Sequence, residues 1–168
     1  MTAITDNTGS WVSARQVLLR LAEIEDNGIH FYQGLYKGTD SKWVRALAVT
    51  LIKAEKRHRE RFLKYAQMAR DSKNPEDDKL AGPLPKEAVR LLTMEIFVPE
   101  DRIKQSARYV RDIEIIKLAI NIEENAAILL TELRPLVPKN QQAYITRVIQ
   151  EEWGHKAKLE EILHKYFS

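Results

Sequence analysis

Four glutamates and two histidines carry the chemistry legible in this chain. Glu25, Glu55, His58, Glu123, Glu152 and His155 fall into two copies of one pattern, a lone glutamate followed by a Glu-x-x-His pair. The copies are displaced by 98 residues for the lone glutamates and by 97 for the pairs. The flanking text repeats as well. IEDNGIHFYQGL around Glu25 aligns with IEENAAILLTEL around Glu123, matching Asn27 to Asn125, Gly28 to Ala126 and Leu35 to Leu133. AEKRHRERF aligns with EEWGHKAKL, preserving Glu-x-x-His and an apolar residue four positions after the histidine. Oxygen and imidazole donors in a duplicated set are the ligand list of a site for two divalent metal ions, built about a pseudo-twofold axis.

Helical spacing decides whether these side chains can meet. The first apolar stripe reads Leu18, Leu21, Glu25, Gly28, Tyr32, Leu35, with gaps of three and four throughout. The second reads Ala48, Leu51, Glu55, His58, Phe62, Tyr65, Ala69; the third Ile116, Ala119, Glu123, Ala126, Leu130, Leu133; the fourth Ile145, Val148, Glu152, His155, Leu159, Ile162, Tyr166. All six polar residues therefore face a core. Burying an ionised carboxylate without a partner costs several kcal/mol, and four that converge repel one another unless cations sit among them. Two M²⁺ ions carry the charge that four carboxylates need. Depth agrees: at a rise of 1.5 Å per residue, Glu25 and Glu55 both lie roughly 21 to 24 Å from Thr39 in the connection between their helices. Glu123 and Glu152 lie roughly 21 to 23 Å from Val137 in theirs. Any one glutamate is ordinary on a charged helix; six residues repeated in register are not.

The spacing predicts a single all-α domain over residues 1–168, with helices over about 10–38, 40–72, 109–134 and 138–167. Ser10 is the expected first cap and Thr39 or Asp40 the second. The intervening segment, about 73–108, opens with the turn-rich DSKNPEDDKLAGPLP, continues as a weaker helical stretch at 86–97, and restarts at a cap at Glu100. Two antiparallel hairpins joined by one long crossover is the arrangement of a ferritin-like four-helix bundle. A crossover of that length also permits exchange between protomers. With 168 residues, 44% hydrophobic, the chain can bury a sizeable core but has no room for a second large domain. No apolar run is long enough to span a bilayer, and the polar start MTAITDNTGS lacks the features of a secretory signal, so a cytoplasmic location without membrane attachment is expected. Zero cysteines exclude disulfides, thiolate zinc sites and iron–sulfur centres.

The chain resembles the di-iron domain of the rubrerythrin branch of the ferritin-like superfamily. The resemblance covers all four long helices and rests on Glu25-x-x-Gly28-x-x-Phe31-Tyr32, Glu55-x-x-His58, Glu123-x-x-Ala126 and Glu152-x-x-His155. It implies two iron ions, with manganese or a mixed pair fitting the same donors. By the resemblance, Glu55 and Glu152 bridge the metals, Glu25 and His58 complete one coordination sphere, and Glu123 and His155 the other. It also implies an oxidoreductase that takes hydrogen peroxide or O₂ to water, with Tyr32 beside the site. The pattern departs from the family at three points. Ala126 stands where peroxide-reducing members carry a further carboxylate; no cysteine is present to hold an electron-donating iron; and the repeat partner of Tyr32 is Leu130. Reducing electrons must then come from an external carrier. Bacterioferritin shares the six-ligand set and gives the alternative of ferroxidase iron handling, and a bundle in which metal is only structural is a third reading. Lys56 stands where bacterioferritin has its haem methionine, and the chain stops 13 residues after His155, short of that family's fifth helix. Both features favour the smaller form, which usually forms homodimers.

The basic run KAEKRHRERFLKYAQMARDSK places its Lys and Arg between stripe positions, so a solvated helix face is expected rather than a nucleic-acid interface. An acidic electron carrier is a partner such a face could receive. His30 and His164 lie off the stripes and are expected at the surface. Trp11, Trp43 and Trp153 are expected to pack. Gly28 and Ala126, one turn beyond the lone glutamates, are expected to leave room for a small oxidant.

Overall fold

The computed structural model describes residues 13–93 and 108–167, and these are helical with short connections. Helix α1 is Ala14–Gly38, α2 is Lys42–Asp71, a short α3 is Lys86–Thr93, α4 is Arg108–Leu133 and α5 is Lys139–Phe167. The long helices pair as hairpins, α1 along α2 and α4 along α5.

Two apolar clusters fix the directions of the four long helices. One gathers Leu18 and Leu21 of α1, Phe62 of α2, Leu129 and Leu133 of α4, and Ile145 and Val148 of α5. The other gathers Tyr32 and Leu35, Leu51, Ile116 and Ala119, and Leu159. Reading each helix from its N-terminus, α1 and α5 run from the first cluster to the second, and α2 and α4 run the opposite way. The segment between α2 and α4 must therefore travel the length of the bundle, which is the expected crossover topology.

The connection is pinned at the first cluster's end. Asp78, in a 3₁₀ turn at Pro75–Asp78, accepts from the Arg15 backbone N–H at 2.7 Å, satisfying a donor that the start of α1 leaves open. Ala81 N–H donates to the Leu136 carbonyl at 2.8 Å. Helix α3 buries Ala88, Leu91 and Leu92 in the first cluster, and Arg20 donates to the Leu92 carbonyl at 2.7 Å. At the opposite end Thr39 Oγ1 donates to the buried Asp112 Oδ2 at 2.6 Å, tying the first hairpin turn to α4.

Several boundaries differ from the sequence expectation. Helix α1 is capped by Ser13, whose hydroxyl accepts from Gln16 N–H at 3.2 Å, and begins at Ala14; Ser10 lies outside the described residues. Ser41 caps α2 in place of Thr39 or Asp40, because the Thr39 hydroxyl is engaged by Asp112 and by the Ser41 N–H. The weak helix is described over 86–93 only, and the restart at Glu100 lies outside the described residues. Trp43 and Trp153 are exposed rather than packed in the core, 47% and 41% accessible. Trp43 instead stacks on Tyr166, ring centroids 5.4 Å apart, and Trp11 is not among the described residues. Ala126, Tyr65, Ile162 and Tyr166 are half-buried, so their stripes are narrower than the periodicity indicates. No helix among the described residues is long and apolar enough to cross a membrane.

Candidate metal centre

All six candidate residues are buried, and they meet in the layer between the two apolar clusters. Their positions follow from helical phase. Each glutamate occupies a core position of its helix, and each histidine lies three residues further on the same face. Two quartets result. Glu25, Glu55, His58 and Glu152 offer donor atoms all within 4.8 Å of one another, and so do Glu55, Glu123, Glu152 and His155. Glu55 and Glu152 belong to both. The histidine rings face each other across the pair, 6.3 Å between centroids.

Distances within the quartets are short, but several are poorly aligned as hydrogen bonds. His58 Nδ1 lies 2.9 Å from Glu152 Oε1, 3.6 Å from Glu55 Oε2 and 3.9 Å from Glu25 Oε2. Yet neither His58 Nδ1 nor Glu152 Oε1 has a hydrogen-bond partner, although both are buried. His155 Nδ1 lies 3.2 Å from Glu152 Oε2 and 3.4 Å from Glu123 Oε2. Buried ligand atoms that converge without well-aligned hydrogen bonds are what a cation would satisfy, and hard oxygen with imidazole nitrogen suits iron or manganese.

Electrostatics point the same way. Burial first, and then the neighbouring Glu55, Glu152 and Glu123 charges, push the Glu25 carboxyl well above its ordinary pKa. Burial and the charges of Glu152 and Glu55 do the same to Glu123. Burial would lower the imidazole values, but the carboxylates beside them outweigh it, lifting His58 to about 11 and His155 to about 10. Glu152, whose burial opposes ionisation, is nevertheless held far below the usual carboxylate range by its contacts with the two histidines and Glu123. Without metal, protons thus supply the positive charge that the cluster requires.

Tyr32 is fully buried, and its hydroxyl donates to Glu123 Oε1, reaching from α1 to α4 across the bundle. Sequence reasoning missed one residue. Glu151 Oε2 accepts from the outer ring nitrogen of His58, Nε2, at 3.0 Å, and the same oxygen pairs with Arg57 Nη2 at 3.2 Å. Glu151 lies outside the α5 stripe; the signal available was its alignment with Ala54, a carboxylate present in one repeat and missing from the other.

Two surface cavities reach the histidines on the α2–α5 face. One of about 410 Å³ is lined by His58 with Arg57, Arg61, Lys64, Arg147 and others. A second, about 350 Å³, is lined by His155 with Lys53, Ala54, Arg57, Gly154 and Lys158 among others. Gly28 and Ala126 line neither; Gly28 is buried and Ala126 half-buried. His30 and His164 are exposed, away from the cluster.

A protein of Thermotoga maritima with a known crystal structure, described provisionally as a ferritin-like diiron-carboxylate protein, matches with a TM-score of 0.61. The match covers 91% of this chain and 95% of that one at 21% sequence identity. The chain has a ferritin-like fold. At that identity the likeness concerns the backbone architecture, so the ferritin-like frame and the buried Glu/His layer are two independent observations. No family model and no curated protein matches the sequence.

Proposed function

We propose that this chain is a di-iron oxidoreductase of rubrerythrin type, reducing hydrogen peroxide or O₂ with electrons from an external donor. The carrying observation is the pair of buried quartets that share Glu55 and Glu152, with His58 Nδ1 and Glu152 Oε1 2.9 Å apart yet not hydrogen-bonded. Glu25 and His58 would hold one metal and Glu123 and His155 the other, with Glu55 and Glu152 available to both. When bound, a ferrous pair would supply the two electrons that, with two protons, convert H₂O₂ to two waters, together with Lewis acidity toward the oxidant.

The surroundings of the pair bear on which reactants approach it. Cavities border the outer edges of both histidines. Arg57, Arg61, Lys64, Arg147, Lys53 and Lys158 outnumber Glu60 and Glu151 around those cavities, which disfavours entry of Fe²⁺ on this face and leaves neutral H₂O₂ or O₂ unopposed. Tyr32 orients Glu123, and Glu151 orients His58. Manganese, or one ion of each metal, fits the same donors.

The test is anaerobic reconstitution with Fe²⁺ followed by rapid mixing with peroxide. One fast turnover is expected, and steady turnover only when an electron carrier is added. Consumption of Fe²⁺ far beyond two per chain, accumulating as mineral, establishes iron handling instead. A loaded protein inert to both oxidants establishes a structural metal.

A further inference from the structure

The sequence repeat makes the two halves of the site near-equivalent, so the places where its surroundings break the symmetry are informative. Two such places carry a direct hydrogen bond to one of the six residues. Glu151 accepts from His58 Nε2, while its repeat partner beside His155 is Ala54, which has no acceptor side chain. Both ion pairs of His155 use Nδ1; Glu151 also lines the cavity beside His155, but it accepts from His58 and Arg57. Tyr32 donates to Glu123, while its repeat partner beside Glu25 is Leu130.

Both departures act in one direction. A carboxylate that accepts the outer N–H of an imidazole makes the inner nitrogen a stronger donor and fixes the ring's tautomer and orientation. Arg57, which shares the same Glu151 oxygen, tempers that charge but holds it in place. A phenol that donates to a carboxylate oxygen withdraws electron density from it, making Glu123 a weaker donor. Strong donation therefore gathers around Glu25 and His58, and weak donation around Glu123 and His155.

We infer that the two metal positions are inequivalent: the Glu25–His58 position binds the first ion tightly, and the Glu123–His155 position is the weaker, more exchangeable and more electrophilic one. Glu151 is the positioning residue that creates most of the difference. This rests on the reading of the six residues as metal ligands. A site built this way loads stepwise and can hold two different metals.

The experiment is an anaerobic calorimetric titration of the metal-free protein with Mn²⁺, paired with electron paramagnetic resonance at one and two equivalents. Two resolved steps are expected, with an uncoupled Mn²⁺ signal at one equivalent and a spin-coupled pair at two. Glu151 is one-third exposed, so Glu151→Ala should fold. It should weaken the first step about 10- to 100-fold, the usual range for losing an outer partner of a ligand, and leave the second step in place. Tyr32→Phe is the complementary variant, expected to leave the first step unchanged. Two ions bound with equal affinity, or a Glu151→Ala protein whose two steps match the parent's, overturn the inequivalence and leave the di-metal reading standing. A protein that takes up no Mn²⁺ and no Fe²⁺ overturns both.

Discussion

At the scale of single residues, the position of a carboxylate within the two quartets decides what its loss should do. Glu55 and Glu152 belong to both groups, Glu25 and Glu123 to one each. Glu55→Ala and Glu152→Ala should therefore lose most of both metals, and Glu25→Ala mainly one, as read by metal content after reconstitution. Equal retention in all three variants would remove the bridging assignment. Protonation gives a second test. Glu25 and Glu123 have folded pKa values raised above the ordinary 4.5, and His58 and His155 are raised from 6.5 to about 11 and about 10. A raised value contributes stability that is fully present below the unfolded pKa and is lost as pH rises through the folded one. All four act with the same sign, so the metal-free protein should melt at a higher temperature at pH 5 than at pH 8. Glu152, depressed, contributes stability above pH 4.5 that is lost only under stronger acid. Metal loading should reverse the trend between pH 5 and 8, because protons compete with the ions for the same atoms. The six core residues were legible because helical period and repeat coincide. Glu151 was not, since its partner lies on another helix and periodicity carries no information about contacts between faces.

At the scale of elements, helices were legible where their stripes are long and less so where tertiary contacts choose the end. Ser41 rather than Thr39 caps α2 because Asp112, far away in sequence, takes the Thr39 hydroxyl. No local pattern encodes that. The same holds for Asp78, which completes the start of α1 from across the connection, and for the half-buried Ala126, a stripe position by spacing alone. The Thr39–Asp112 bond also supplies a prediction about packing. Both side chains are buried, and the other Asp112 oxygen, Oδ1, has no hydrogen-bond partner. Removing the Thr39 donor while keeping its shape leaves the carboxylate with no side-chain hydrogen-bond partner among the described residues. Thr39→Val should therefore cost about 1–3 kcal/mol of stability in a urea titration, with metal content unchanged because the site lies several turns away. A stability loss within error of zero would mean that the hydroxyl contributes little to holding the turn against α4.

At the scale of the whole molecule, charge is distributed so that one face differs from the buried layer it covers. The layer between the apolar clusters gathers four carboxylates. Directly outside it, α2 and α5 present Arg57, Arg61, Lys64 and Arg147, against Glu60 and Glu151, around the cavity that reaches His58. Arg61 lies over the Tyr144 ring at 5.3 Å, and Arg57 is paired with Glu151, so part of this positive charge is held in place rather than waving in solvent. The sequence showed the basic run on α2 but not that Arg147, from the other hairpin, joins it at the histidine edge. On the proposed oxidoreductase reading, an electron donor external to these residues would find this basic edge beside His58. An acidic carrier would be steered to it, and steering between exposed charges is screened by salt. The rate at which an acidic electron carrier reduces the oxidised protein should thus fall steeply as ionic strength rises from about 0.01 to 0.15 M, over which the Debye length shrinks from about 30 to 8 Å. Reaction of the reduced protein with H₂O₂, which is uncharged, should stay flat over the same range. Arg61→Glu with Arg147→Glu should slow reduction at low salt and leave the peroxide step alone. Reduction that ignores both salt and these reversals would place the docking surface on another face of the bundle.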